Sequence, residues 1–247
     1  MTVEDARLAA RLAEAAGALL LELRGEQADS VDGKALGRLG DARSNAYLLG
    51  QLATLRPEDA VLSEESADDK SRLDRHRVWI VDPLDGTREY SLPARADWAV
   101  HVALWQDGEI TAAAVAQPAL GVVYASDAAS PPTSPLPEVP RVLVSDSRPP
   151  GFAPRVAEAL GGKVASMGSA GAKAMAVLRG DAEAYVHAGG QWEWDSAAPV
   201  GVAQAAGLHC SRIDGSPLRY NQSHPYLPDL VICRPELAPP ILAAIAG

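Results

Sequence analysis

Val78-Trp79-Ile80-Val81 is an apolar run, and Asp82-Pro83-Leu84-Asp85-Gly86-Thr87 follows it directly. The run reads as a buried strand, and the hexapeptide gathers two carboxylates, a peptide carbonyl and a hydroxyl at its mouth. Hard oxygen donors of this kind suit Mg²⁺, which in phosphoryl transfer must hold both a phosphate and a water. A polar turn is the other reading, because Asp-Pro and Asp-Gly both form turns. The haloacid-dehalogenase arrangement is set aside: its two aspartates lie two residues apart, whereas Asp82 and Asp85 are three apart with proline directly after the first. On an extended strand that spacing sends the two side chains to opposite faces. The pair is therefore expected in a turn that wraps a metal, with the Leu84 carbonyl pointing inward between the acids.

A metal pair needs more carboxylates than Asp82 and Asp85 supply. Glu64-Glu65 follows the short strand Val61-Leu62 and is either a solvated loop pair or a source of ligands. Asp195, beside Trp192, Glu193 and Trp194, is either the N-cap of the apolar stretch Ala197–Ala206 or a further ligand. Asp41, after Gly40, either caps a helix or is a functional carboxylate at a helix start. Lys173 stands one helical turn after Ser169, so both can face one ligand. Gly168–Lys173 lacks P-loop spacing, and the five histidines show no zinc pattern such as HExxH.

These residues need elements to position them. Leu8, Leu12, Ala15, Leu19 and Leu23 lie along one stripe of a helix over 3–24, closed by Gly25. A loop to Gly40 and a second helix from Asp41 through Leu49 and Leu52 are expected next. Strands follow at 78–82, 98–105, 109–117 and 121–125, with Asp107-Gly108 as a tight hairpin turn, which makes a largely antiparallel sheet. Proline-rich 130–137 breaks the pattern. Beyond it, strands at 141–145, 163–167, 183–187, 209–213 and 229–233 are interspersed with helices at 152–160, 170–178, 196–206 and 236–246, the grammar of an α/β layer. The expected organisation is an N-terminal α+β subdomain (1–129) with the metal motifs, a linker (130–140) and a C-terminal α/β subdomain (141–247) with substrate-binding residues. The cleft between them is the natural ligand site.

The chain has 247 residues, 47% of them hydrophobic, and a net charge of −10. Such an acidic balance argues against a nucleic-acid polymer or an anionic membrane as partner. A small anionic substrate stays open, because a metal cluster inverts the field locally. Cys210 and Cys233 read as two buried thiols in a reducing compartment. The acidic Met1–Asp5 is unlike a signal peptide, and no apolar segment reaches the ~18 residues of a membrane span, so a cytoplasmic location is expected.

In their order, Asp41, Glu64-Glu65, Asp82–Thr87 and Trp194-Asp195 resemble the signature of the Mg²⁺-dependent, lithium-sensitive phosphatase superfamily. That superfamily contains inositol monophosphatases, fructose-1,6-bisphosphatases and 3′(2′),5′-bisphosphate nucleotidases. The motifs span most of the chain, with one departure: Gly207-Leu208 stands where the family often carries Gly-Gly. Thr87-Arg88-Glu89-Tyr90, Gly168–Lys173, His187–Asp195 and Gly215–Asn221 look like the CysQ-type nucleotidase branch in its actinobacterial form. Inositol monophosphatases typically carry Thr-Asn-Phe at the first of these.

The resemblance implies an α+β and α/β chain folded as a layered α-β-α-β-α sandwich of the sugar-phosphatase type. It implies two or three Mg²⁺ ions, the first held by Glu64, Asp82 and the Leu84 carbonyl, the second by Asp82, Asp85 and Asp195. Thr87, hydrogen-bonded to Asp41 and helped by Glu65, would orient the attacking water and accept its proton. Gly86 and Thr87 would offer backbone N–H groups to the phosphate. Arg88, Ser169 and Lys173 would contact the nucleotide, with Ser145, Ser147 and Arg148 adding contacts. The implied activity removes the 3′-phosphate of 3′-phosphoadenosine 5′-phosphate, and of its 5′-phosphosulfate, clearing a by-product of sulfate activation. Inositol-1-phosphatase or fructose-1,6-bisphosphatase activity is the alternative. Many relatives are homodimers, which makes a homodimer the candidate assembly.

Overall fold

Helix α1 (Val3–Gln27) lays Leu8, Leu12, Ala16 and Leu20 against a sheet in the computed structural model, which describes residues 3–27 and 32–247. Helix α2 (Gly33–Leu55) packs beside it and starts earlier than expected. Its N-cap is Asp32, whose side chain accepts from Ala35 N at 2.9 Å, so Asp41 lies in mid-helix. Residues 28–31 of the expected loop lie outside the described residues. Glycines that read as loop serve close packing instead. A Cβ on Gly37 would fall 2.7 Å from Thr87 Cγ2, and one on Gly40 would fall 2.9 Å from Tyr90 Cε1.

The first sheet has the order β1 (Ala60–Ser63), β2 (Arg77–Asp85), β3 (Ala99–Gln106), β4 (Glu109–Gln117), β5 (Val122–Ala125). β1 runs parallel to β2 and the other pairs are antiparallel. The turn between β3 and β4 has φ of 50° at Asp107 and 105° at Gly108, the left-handed pair that a tight hairpin requires. One helical turn, α3 (Thr87–Tyr90), follows β2.

The second sheet has the order β7-β6-β8-β10-β9. Its chain order is β6 (Arg141–Ser145), α4 (Ala153–Ala159), β7 (Lys163–Met167), α5 (Ala170–Arg179), β8 (Ala184–Ala188), α6 (Glu193–Ala205), β9 (His209–Ser211), β10 (Asp229–Cys233) and α7 (Ala238–Ala246). β6 is parallel to β7 and β8, while β10 is antiparallel to β8 and β9. Helix α6 begins at Glu193 rather than 196, which moves Asp195 from a capping position into the first turn.

Side-chain alternation builds the layers. Trp79, Val81, Val100 and Val102 face α1 and α2, whereas Val78, Ile80, Ala99 and Ala103 face α5 and α6. The second sheet turns Leu143, Tyr185 and Ile232 toward the same central helices, and Val144, Val186 and Val231 toward α4 and α7. Each fully buried Leu or Ile in these layers stabilises by roughly 1.5–3 kcal/mol. The result is the expected α-β-α-β-α sandwich. Cys210 and Cys233 are free thiols, and among the described residues no helix is long and apolar enough to cross a membrane.

Candidate active site

Strand β2 runs on to Asp85, three residues past its expected end at 82, because a bulge interrupts its ladder with β3. Asp82 pairs with His101 and Asp85 with Ala99, so three steps on β2 match two on β3. The extra residue restores the alternation that an odd spacing would break, and both carboxylates reach the face turned to α5 and α6. Pro83 is tolerated where the ladder is broken, and its carbonyl accepts from Ser44 Oγ at 2.7 Å. Leu84 points to the opposite face, into the core under α1 and α2.

Helix α6 delivers Asp195 to the same place. Its Oδ2 accepts from Trp192 N at 2.6 Å, which fixes the carboxylate across the helix start. Asp82, Asp85 and Asp195 each offer an oxygen, and all three lie within 4.8 Å of one another. Glu64, just past β1, stands at the exposed edge of this group. Burial pushes Asp82 well above the usual carboxylate range, with Glu64, Asp85 and Asp195 adding to it. Asp195 is pushed up to about 7 by burial and then by Asp85. Glu64 is raised as well, through partial burial against the cluster and then through Asp195 and Asp41, although its side chain keeps contact with solvent. So many acids in little water repel one another, and a divalent cation relieves that. The all-oxygen donor set fits Mg²⁺.

Asp85 goes the other way. Burial would raise it, but His101, the Ser169 hydroxyl and the Gly171 amide outweigh that and hold it at about 2. Gly171 N donates to Oδ2 at 2.7 Å and Ala170 N to Oδ1 at 3.1 Å, so the start of α5 is anchored on this carboxylate.

The glycine-lined contact between α2 and α3 sets Asp41 beside Thr87. The Thr87 hydroxyl donates to the Leu84 carbonyl at 3.2 Å, while Asp41 Oδ1 is buried without a partner. Burial and then Glu65 push the Asp41 carboxyl up to about 7, with the nearby Thr87 hydroxyl opposing the shift.

A cavity of about 290 Å³ opens beside Asp85 and Asp195, lined in part by Gly86, Thr87, Arg88, Ser145, Ser169 and Lys173. Several of these already have partners. Arg88 pairs with Asp146 at 3.3 Å, at an exposed position. Ser145 Oγ accepts from Arg148 N at 3.2 Å. Ser169, at φ 51°, caps α5 by accepting from Ala172 N at 2.9 Å and donates to Asp85 Oδ2. The buried Lys173 ammonium donates to the carbonyls of Met167, Gly168 and Ser169 at 3.3, 3.1 and 2.5 Å. Burial lowers it to about 8, with Asp85 and Asp146 opposing the shift.

Sequence reasoning missed His101, wholly buried beneath the carboxylates, and gave no role to His187 and Gln191, which stand on the cavity wall and belong to the His187–Asp195 motif. The signal for His101 was a lone polar residue inside the apolar strand Trp98–Leu104, meaningful only once the register with Asp82 is known.

The chain is 56% identical over 253 residues to the 3′-phosphoadenosine 5′-phosphate phosphatase of Mycobacterium leprae (strain TN), covering 98% of this chain and 93% of that protein. It is 30% identical to the 3′(2′),5′-bisphosphate nucleotidase CysQ of Escherichia coli (strain K12), covering 76% of this chain and 80% of that one. Inositol monophosphatase-II from Staphylococcus aureus MSSA476 superposes with a TM-score of 0.80 at 19% identity, covering 98% of this chain and 92% of that chain, a likeness of fold. The sequence profile of the inositol monophosphatase family matches residues 3–131 and 139–245. Motifs, layers and profile agree: the chain belongs to the inositol monophosphatase family.

Proposed function

We propose that this enzyme is a Mg²⁺-dependent phosphatase that hydrolyses the 3′-phosphate of 3′-phosphoadenosine 5′-phosphate to AMP and phosphate. The observation that carries the substrate is the 56% identity to the M. leprae phosphatase over nearly the whole chain. The geometry supports the reaction class, because a carboxylate cluster borders a cavity whose other wall holds Arg88, Arg148 and Lys173.

Asp82, Asp85 and Asp195, with Glu64 and the Leu84 carbonyl, would hold two or three Mg²⁺ ions. When bound, Mg²⁺ supplies charge for the phosphate oxygens and acidifies water. The chain's own residues do the rest. Thr87 would orient the attacking water, and the buried Asp41 carboxylate beside it would take its proton. Glu65 keeps that carboxyl basic. Gly86 and Thr87 line the cavity, and their backbone amides would meet phosphate oxygens there. Arg88 would exchange its exposed partner Asp146 for a phosphate. Ser145, Ser169 and Lys173 shape the wall against which the nucleotide rests. No covalent nucleophile is needed, since phosphoryl transfer asks mainly for positioning and charge stabilisation.

Phosphate release by the full chain with Mg²⁺ tests the proposal, using the bisphosphate nucleotide, its 5′-phosphosulfate, inositol-1-phosphate and fructose-1,6-bisphosphate. A higher kcat/KM for the adenosine substrates is expected. Equal or better turnover of the sugar phosphates would overturn the substrate, and no Mg²⁺-dependent turnover of any of them would overturn the reaction class. Gel filtration with light scattering tests the proposed homodimer, which a monomeric mass would refute.

A further inference from the structure

His101 is a wholly buried imidazole in the middle of β3, flanked along the strand by apolar residues. Burying such a ring is costly unless its nitrogens are engaged. Here each nitrogen faces an atom that can only accept. Nδ1 lies 3.1 Å from the Trp194 carbonyl, and Nε2 lies 3.2 Å from Asp85 Oδ2, somewhat off the hydrogen-bonding direction. Whichever ring nitrogen carries the proton therefore has an acceptor in front of it. Cross-strand pairing with Asp82 fixes its position, and Nδ1 stands 3.9 Å from Asp82 Oδ2.

The third face of the ring meets α5. A Cβ on Gly171 would fall 2.1 Å from Nε2, so only glycine lets the start of α5 close onto the ring. That approach allows Gly171 N to reach Asp85 at 2.7 Å. One side chain thus touches the bulge that carries Asp82 and Asp85, the helix start that anchors Asp85, and the residue next to Asp195.

We infer that His101 is a positioning residue for the metal centre. It fixes the rotamer of Asp85 and the seat of the first turn of α6, and so sets Mg²⁺ affinity without touching the ion or the substrate. The inference rests on reading the carboxylate cluster as a Mg²⁺ site. Losing an outer-shell partner of this kind typically costs 10–100-fold in metal affinity.

The test compares wild type with His101→Leu, which fills similar space without donors, and with His101→Gln, which can still donate toward Asp85. Mg²⁺ binding is read by calorimetry, and folding by melting of the metal-free proteins. The expected result is a rise of at least about tenfold in the Mg²⁺ dissociation constant of His101→Leu, with a smaller rise for His101→Gln. Turnover of His101→Leu should recover toward wild type as Mg²⁺ is raised, since its loss lies in metal occupancy. Unchanged Mg²⁺ binding in a folded His101→Leu would overturn the role of His101. Equal losses in both variants, matched by equal falls in metal-free melting, would reduce the residue to packing and also overturn it. Should His101→Leu fail to fold, His101→Gln and His101→Asn decide: affinities equal to wild type in both overturn the inference, and a weaker affinity in either supports it. A wild-type protein that binds no Mg²⁺ would sink the metal reading itself, an outcome distinct from these.

Discussion

Replacing Asp41 by Asn should stabilise the metal-free protein in alkaline solution while stopping the enzyme. Asp41 is 7% exposed, and burial followed by Glu65 pushes its carboxyl from an ordinary 3.8 up to about 7. The folded chain then holds this proton more tightly than the unfolded chain. The stability contribution is full below about pH 4 and is lost as pH rises through 7. A shift of this size corresponds to a ceiling of about 4 kcal/mol. Somewhat under half of that is already gone at pH 5, so roughly 2–3 kcal/mol remains to be lost by pH 8.5. Asn cannot ionise and escapes that loss. Urea denaturation in EDTA at pH 5 and pH 8.5 should show Asp41→Asn gaining on wild type by this amount between the two conditions. With Mg²⁺ restored, its kcat should fall by about 10²–10⁴, the usual worth of a proton acceptor. A stability difference independent of pH would refute the argument that Asp41 is the strained group. Wild-type turnover would remove it from the proton path.

Other perturbations bear on the same cluster. Asp85→Asn should lose at least about a hundredfold in kcat with Mg²⁺. It should also lower the metal-free melting temperature, since an amide hydrogen would face the Ser169 or Gly171 donors; near-wild-type turnover would remove Asp85 from the ligand set. Mg²⁺ should raise the melting temperature more at pH 8.5 than at pH 6, because Asp41, Glu64 and Asp195 bind protons in the neutral range and the ion competes with them. Equal shifts at the two pH values would contradict this. Lys173→Met should lower the melting temperature by removing three carbonyl contacts, and should raise KM for the bisphosphate nucleotide more than for inositol-1-phosphate. A lower melting temperature with unchanged KM would confine Lys173 to holding its turn.

The sandwich was legible because its strands alternate or run apolar and its helices carry stripes, as the match at β6, β7 and α5 illustrates. Local readings failed where tertiary contact overrode propensity. Gly33, Gly37 and Gly40 looked like loop, yet they open α2 to a one-turn helix that would otherwise collide with it. The same glycines bring Asp41 against Thr87, so the misread helix start and the legible acid have one cause. At α6 the expected start fell late because Trp192–Asp195 was read as approach rather than as the first turn. The bond that Trp192 N donates to the Asp195 carboxylate is invisible without coordinates. His101 escaped for a related reason, since cross-strand partners depend on register and register depends on the bulge.

That bulge ties the motif's spelling to its chemistry. Two aspartates at an odd spacing on a regular strand would face opposite layers, one of them toward the apolar packing of α1 and α2. An extra residue between them reverses the second side chain, and a proline is compatible with that position because the ladder is already broken there. The Leu84 side chain then goes into the core while its carbonyl stays beside Thr87. Strand, bulge and turn therefore present two carboxylates, a carbonyl and a hydroxyl from six consecutive residues without a flexible loop. The acids that complete the set come from other elements, Glu64 past β1, Asp195 on α6 and Asp41 on α2. Their placement requires the sandwich to have formed. The metal centre thus depends on the packing of the layers, and mutations that loosen the packing of α5 or α6 on the first sheet should weaken Mg²⁺ binding before they unfold the chain.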